Sequence, residues 1–422
     1  MTKNFTQLAN GMKVLSEHVP AVETVSLGVW LPCGSRHEHP HENGMFHFIE
    51  HLLFKGTPSR NARQIAEDVD GVGALLDAYT TREETCYTFK VREKHVPFML
   101  HILAEMIREP LFNRVELERE KQVVLEEIKM GEDNPEDLVY DKSLFHLWQG
   151  HALANPVLGT TETVSNFNQD SAKAFHRKRY RARDLIVAAA GKIDHDWLCA
   201  ELEKLFPADS VQTPADLPGE DQPTSATYQV YQCREHLEQV SFCLNFKAIS
   251  YRHPDLDALH ILNTLLGGSM SSRLFQRIRE ERGLAYSVGS FTSLFRNCGV
   301  FSIYGGCSPE SFDEVITLSL QILREIKDEG ICTDELERAR EQLIGTTLMG
   351  LESTGSRSSA LAQEMIQTNE VFDLKKTIDK IESISQSQVT DLARQIFQDE
   401  SMGLMALGRL PAEAPATPWH LH

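Results

Sequence analysis

Apolar positions along this chain fall into runs of two kinds. Residues 25–30 and 240–246 are rich in Val, Leu and Phe and have the pattern of buried strands, and residues 86–91 and 300–304 likewise read as strands. Residues 97–108 and 311–328 read instead as helices. The order of the runs is itself repeated. Residues 25–30 echo 240–246, residues 47–53 align without gaps on 260–266, and residues 117–131 align without gaps on 336–350. Between the two series, residues 207–225 carry Pro207, Pro214, Pro218 and Pro223 among Ala, Asp, Ser, Thr and Gln, the composition of an interdomain linker. The pattern predicts two homologous domains, 1–206 and 226–422, joined by 207–225. Each is expected to be α+β, a largely antiparallel sheet packed against helices.

Length agrees, since 422 residues suit two cores of about 200 residues each. Composition is that of a soluble globular chain, with 41% hydrophobic and 24% charged residues and no apolar run near 18 residues. The N-terminal segment has no apolar core and no Arg-rich character, and the eight cysteines show no C-x-x-C spacing. These features predict a cytoplasmic protein with reduced thiols. A formal charge of −19 argues against nucleic acid and anionic membrane as partners, because both would repel it.

Candidate chemistry concentrates in His47-Phe48-Ile49-Glu50-His51. On a helix, residues four apart share a face, so His47 and His51 can present two imidazole nitrogens to one ion, with Glu50 beside them. Catalytic zinc takes three protein ligands and leaves a fourth position for water. The helix expected around 115–130 places Glu120 and Glu127 two turns apart on one face. Glu127 is expected as the third ligand and Glu120 as the acceptor that orients a histidine ring, with Glu126 pointing elsewhere. Zinc, one per chain, would activate water and polarise a carbonyl, and Glu50 would take the water's proton and return it to the leaving amine. Two histidines four apart could be chance in a chain that has 17. The repeat argues otherwise, because the second copy reads His260, Asn263, Thr264 and Thr346 at the matching positions. There the scaffold persists and the chemistry does not.

The inverted H-x-x-E-H order is the inverzincin pattern, here within Gly44-Met45-Phe46-His47-Phe48-Ile49-Glu50-His51-Leu52-Leu53-Phe54-Lys55-Gly56-Thr57. With the Glu120/Glu127 pair, the segment 131–137 and the run 270–275, this context resembles the pitrilysin and insulinase family of zinc peptidases, specifically its bacterial processing-peptidase branch, similar to the β subunit of the mitochondrial processing peptidase. The resemblance implies a zinc endopeptidase acting on peptides or unfolded N-terminal segments inside a closed dimeric chamber. A peptide would bind in extended form as a strand added at Asp77, Ala78 and Tyr79, although the family usually has Asn where this chain has Asp77. Arg279 and Tyr286 match the family's second-domain pair and would hold substrate carbonyls and the developing oxyanion. By the same resemblance they would act on the zinc of the partner in a homodimer, and Asp137 and Asp141 would recognise a basic residue upstream of the cut. A non-catalytic subunit, or one that needs a distinct partner, is the alternative. The run His37-Glu38-His39-Pro40-His41-Glu42 reads as a loop, and Gly267-Gly268-Ser269 as a turn that lacks the Lys of a phosphate loop.

Overall fold

A computed structural model describes residues 2–208, 220–410 and 419–421. Most of the expected linker, 209–219, lies outside the described residues. The apolar runs build two sheets. In the first, β1 (Thr2–Gln7), β2 (Lys13–His18), β3 (Thr24–Leu31), β4 (Leu75–Thr80), β5 (Thr85–Arg92) and β6 (Ile186–Gly191) lie in the order β1-β2-β6-β3-β5-β4. The second holds β7 (Tyr228–Cys233), β8 (Val240–Ala248), β9 (Ala285–Leu294), β10 (Gly299–Cys307) and β11 (Met402–Gly408) in the order β7-β11-β8-β10-β9. Dropping β1, the two orders correspond strand for strand. Each has a parallel pair, β2 with β6 and β7 with β11, and is otherwise antiparallel. The duplication expected from the sequence is therefore present in the topology, as is the α+β class.

Why the strands read as continuous apolar runs follows from their surroundings, since a strand buried on both faces has no polar side to show. Along β3, Val25, Leu27, Val29 and Leu31 face a core that includes Phe48 and Ile49 of helix Met45–Leu53 and Ile102 and Leu103 of helix Val96–Arg108. The alternate face carries Trp30, which joins Leu15, Cys86, Ile186 and Ala188 in a second cluster with Leu361, Ala362 and Met365 of helix Thr354–Thr368. Gly28 leaves room for the Trp30 ring, because a Cβ would sit 2.4 Å from it and force it to shift. Polar contacts fix the same helix: Ser26 Oγ meets Thr354 Oγ1 at 2.8 Å, Ser358 Oγ donates to the Ala188 carbonyl at 2.9 Å, and Arg357 pairs with buried Glu17 at 2.7 Å. In the second sheet, helix Pro135–Leu147 plays the equivalent part. Val139 packs on Cys243, Met405 and Leu407, and buried Asn245 donates to Ser143 Oγ at 2.8 Å while accepting from Ser302 Oγ at 2.7 Å.

Those two covering helices change the division of the chain. The compact units are Met1–Met130, Asn155–Glu220 and Met349–Phe372 on one side, and Gly131–Ala154, Asp221–Leu348 and Asp373–His422 on the other. A contiguous split at 207–225 misses this, since residues 131–154 complete the second unit and 349–372 the first. The cause is burial: each sheet's second apolar face is covered by a helix drawn from the other half of the chain.

Leu361 is fully buried under the first sheet. Leu361→Ala is expected to destabilise the protein by about 2–5 kcal/mol in urea unfolding, whereas Leu75→Ala, at a residue 70% exposed on β4, is expected to stay within about 0.5 kcal/mol. Similar losses for both would refute the packing role of helix Thr354–Thr368.

Candidate metal centre

Helix Met45–Leu53 buries Met45, Phe46, Phe48, Ile49, Leu52 and Leu53 and leaves His47, Glu50 and His51 on its half-buried opposite face. Phe46 locks the buried side edge-on against Phe175 at 4.8 Å. Helix Arg114–Asp133 runs past the polar face and brings Glu120 and Glu127 to it. His47, His51 and Glu127 each place a ligand atom within 4.8 Å of the others, and they are the one such His/Cys/Asp/Glu set among the described residues. Glu127 Oε2 lies 3.8 Å from His47 Nε2 and 3.5 Å from His51 Nε2. His51 Nδ1 meets Glu120 Oε2 at 3.1 Å, and the other Glu120 oxygen takes Lys55 Nζ at 2.8 Å.

The electrostatics suit a cation. Burial, and then the neighbouring His51, lower His47 to about 3, so its ring is neutral and its 3.8 Å approach to Glu127 is no ion pair. Burial opposes charge on His51 as well, but the Glu120 hydrogen bond and the charges of Glu127 and Glu50 outweigh it, and its pKa rises. Burial also tends to raise Glu120, yet the His51 and Lys55 contacts bring it below the usual carboxylate range. Glu127 Oε2 and His47 Nδ1 are buried without a hydrogen-bond partner. An orphaned carboxylate oxygen facing two imidazole nitrogens is costly by itself, and the donor set of two nitrogens and one carboxylate oxygen fits zinc.

Glu50 sits beside this cluster with Oε2 accepting from Thr80 Oγ1 at 2.5 Å. Burial raises its pKa, aided by Asp77 and Glu127 and opposed by Thr80 and His51. A cleft of about 210 Å³ is lined by Glu50, His51, Phe54, Lys55, Leu76, Asp77 and Ala78. Its wall is β4, the edge strand of the sheet. Asp77, Ala78 and Tyr79 all lie on that edge. Asp77 Oδ1 accepts the N–H of Ala78 at 2.9 Å, and the Tyr79 hydroxyl turns away to donate to Glu84 at 3.0 Å.

The remaining expected residues lie in the second unit. Arg279 is on a π-helical turn, Phe275–Glu280, with its guanidinium 4.6 Å from the Phe275 ring and 5.0 Å from the ring of Tyr286, which is 79% exposed. Asp137 and Asp141 are on helix Pro135–Leu147, where Asp137 accepts from Asn134 Nδ2 at 2.6 Å. In the second copy of the motif, Asn263 accepts from Ser290 Oγ at 2.8 Å and Thr264 donates to the His260 carbonyl at 2.9 Å. Sequence reasoning missed Thr80 and Lys55. Lys55 follows His51 by four residues, a spacing that carried the signal, whereas nothing in the sequence pairs Thr80 with Glu50.

Comparison with known proteins agrees with this architecture. The profile of the insulinase family, peptidase family M16, matches residues 13–161, and that of the peptidase M16 inactive domain matches residues 166–343. A Bacillus subtilis protein described as an uncharacterized zinc protease, YmxG, is 37% identical over 98% of this chain and 100% of its own. One from Streptomyces coelicolor, also described as an uncharacterized zinc protease, is 35% identical over 93% of this chain and 86% of its own. The chain thus belongs to the insulinase family. In fold it is similar to a protease from Helicobacter pylori, with TM-score 0.91 at 21% identity over 96% of this chain and 99% of that one. It is also similar to a peptidase M16 inactive domain from Pseudomonas fluorescens, with TM-score 0.90 at 21% identity over 98% of this chain and 100% of that one.

Glu120→Gln is expected to weaken zinc binding about 10–100-fold, measured by competition with a chromophoric chelator. An unchanged affinity would remove Glu120 from the centre.

Proposed function

We propose that this chain is a zinc-dependent endopeptidase that hydrolyses peptides held in extended form along β4. The observation that carries this reading is the meeting of His47, His51 and Glu127 beside Glu50 at a cleft walled by an edge strand. His47, His51 and Glu127 would hold one zinc, and Glu120 would orient His51. Zinc held there would supply Lewis acidity, lowering the pKa of water toward neutrality and polarising the scissile carbonyl. Glu50 takes the proton of the attacking water and delivers it to the departing amine, while Thr80 holds its carboxylate in place.

An edge strand offers unpaired backbone groups that an extended peptide can complete. On β4, the Ala78 N–H is engaged by Asp77, so an incoming strand would have to displace that contact. This gives the Asp its own consequence for binding, beyond the loss of an amide donor.

We read Arg279 and Tyr286 as a unit, on their stacked geometry, that binds substrate carbonyls and the oxyanion at the zinc of a second copy, and Asp137 and Asp141 as acidic contacts for a basic residue upstream of the cut. The competing reading is a non-catalytic subunit, and the complete set of site groups in the first unit speaks against it. The stretch that matches the inactive-domain profile, residues 166–343, holds Asn263 and Thr264 in place of Glu50 and His51, and Thr346, just beyond it, stands in place of Glu127.

Glu50→Gln is expected to retain about one zinc per chain while kcat falls about 10²–10⁴-fold, read by metal analysis and a peptidase assay on the same sample. Substantial turnover by the zinc-loaded variant would sink the role of Glu50. Mixing Glu50→Gln chains with Tyr286→Phe chains under exchange conditions is expected to restore part of the activity, and no recovery would count against sharing of the site between copies.

A further inference from the structure

The run of residues 37–42 has no part in the chemistry above, yet one of its carboxylates is among the most enclosed in the chain. Glu38 is 3% exposed. Its Oε1 accepts the backbone N–H of Phe46 at 2.7 Å, and its Oε2 accepts the N–H of Gly44 at 2.7 Å and the Asn43 side-chain amide at 3.3 Å. These donors open helix Met45–Leu53.

A helix begins with N–H groups that have no partner inside it, and a Ser, Thr, Asp or Asn at the N-cap commonly satisfies one. Here the N-cap is Gly44 at φ +94°, with no side chain to offer. None could be installed, because a Cβ at Gly44 would lie 2.6 Å from the Leu158 carbonyl oxygen. The chain turns too sharply into this helix to carry its own cap.

We propose that Glu38 is the positioning residue of the metal helix: reaching in from the preceding loop, its two oxygens replace the missing cap and set the depth and rotation at which His47 and His51 meet Glu127. Phe46, which it holds, directly precedes His47. Burial raises the Glu38 pKa to about 8, opposed by the bonds from Phe46, Gly44 and Asn43, and the geometry sets both oxygens as acceptors on two backbone donors. Gln offers only one, and would set an amide N–H against a backbone N–H. This inference rests on reading His47 and His51 as ligands.

The test uses the intact chain, stripped of metal and titrated with zinc against a chromophoric chelator, with the visible spectrum of its cobalt(II) form recorded in parallel. Glu38→Gln is expected to lower zinc affinity about 10-fold or more, the scale on which supporting residues act at metal sites, and to alter the cobalt bands. Ser385→Ala serves as the control, since Ser385 caps helix Gln386–Ile396 in the second unit. It removes a cap without touching the metal helix and is expected to leave both readouts as in the wild type. A Glu38→Gln protein with wild-type zinc affinity and cobalt bands, whatever its melting temperature, overturns the proposal and makes Glu38 a fold-stabilising residue only. If that variant does not accumulate in folded form, Glu38→Asp, which withdraws the carboxylate by one methylene, is read by the same two outcomes. Failure of the wild-type chain itself to bind zinc would overturn the ligand reading first.

Discussion

A nine-residue helix here has to satisfy two surfaces at once. Six side chains of Met45–Leu53 are buried in the core of the first unit, while His47, Glu50 and His51 must turn to the half-buried face beside Glu127. Because 3.6 residues make a turn, the apolar set at 45, 46, 48, 49, 52 and 53 and the polar set at 47, 50 and 51 separate onto opposite sides. A rotation that improved one surface would spoil the other. The packing of Phe46 against Phe175, the Glu38 contacts at the helix start and the Glu120 contact to His51 all act on this one degree of freedom.

Around that helix the polar groups are mutually dependent. Glu120 is shared between Lys55 and His51, and Glu50 between Thr80 and the cleft. Glu127 has a buried oxygen with no donor, which a protein interior tolerates poorly unless a cation completes the group. The second copy of the motif shows the opposite outcome. With Asn263 and Thr264 in place, these two side chains close on Ser290 and on the helix backbone. The same scaffold carries His47, Glu50 and His51 in one unit and His260, Asn263 and Thr264 in the other.

Much of this was legible in the linear order of residues. Helices and strands at 25–30, 86–91, 97–108, 240–246, 300–304 and 311–328 are recovered in the structure, because their periodicity reports burial directly. That His47, Glu50, His51, Glu120 and Glu127 converge was legible because helical spacing converts sequence distance into direction, for His47 with His51 and for Glu120 with Glu127. Thr80 and Glu38 were not, since each meets its partner across a loop or between a strand and a helix, where no period relates the two positions. The split into contiguous halves also failed. Nothing in residues 354–368 marks which sheet they cover.

By itself, then, the sequence determined the repeat, the class of each element and the residues able to hold a metal, since all of these depend on local periodicity and on residue chemistry. Tertiary structure decided the rest: that helices Pro135–Leu147 and Thr354–Thr368 each cover the sheet of the opposite half, and that β4 is the edge beside Glu50. It also decided that the carboxylate of Glu38, six residues before Gly44, accepts backbone N–H groups at the start of helix Met45–Leu53. These outcomes turn on which surfaces are left uncovered once the elements pack, a property of the assembled core that no local window of sequence contains.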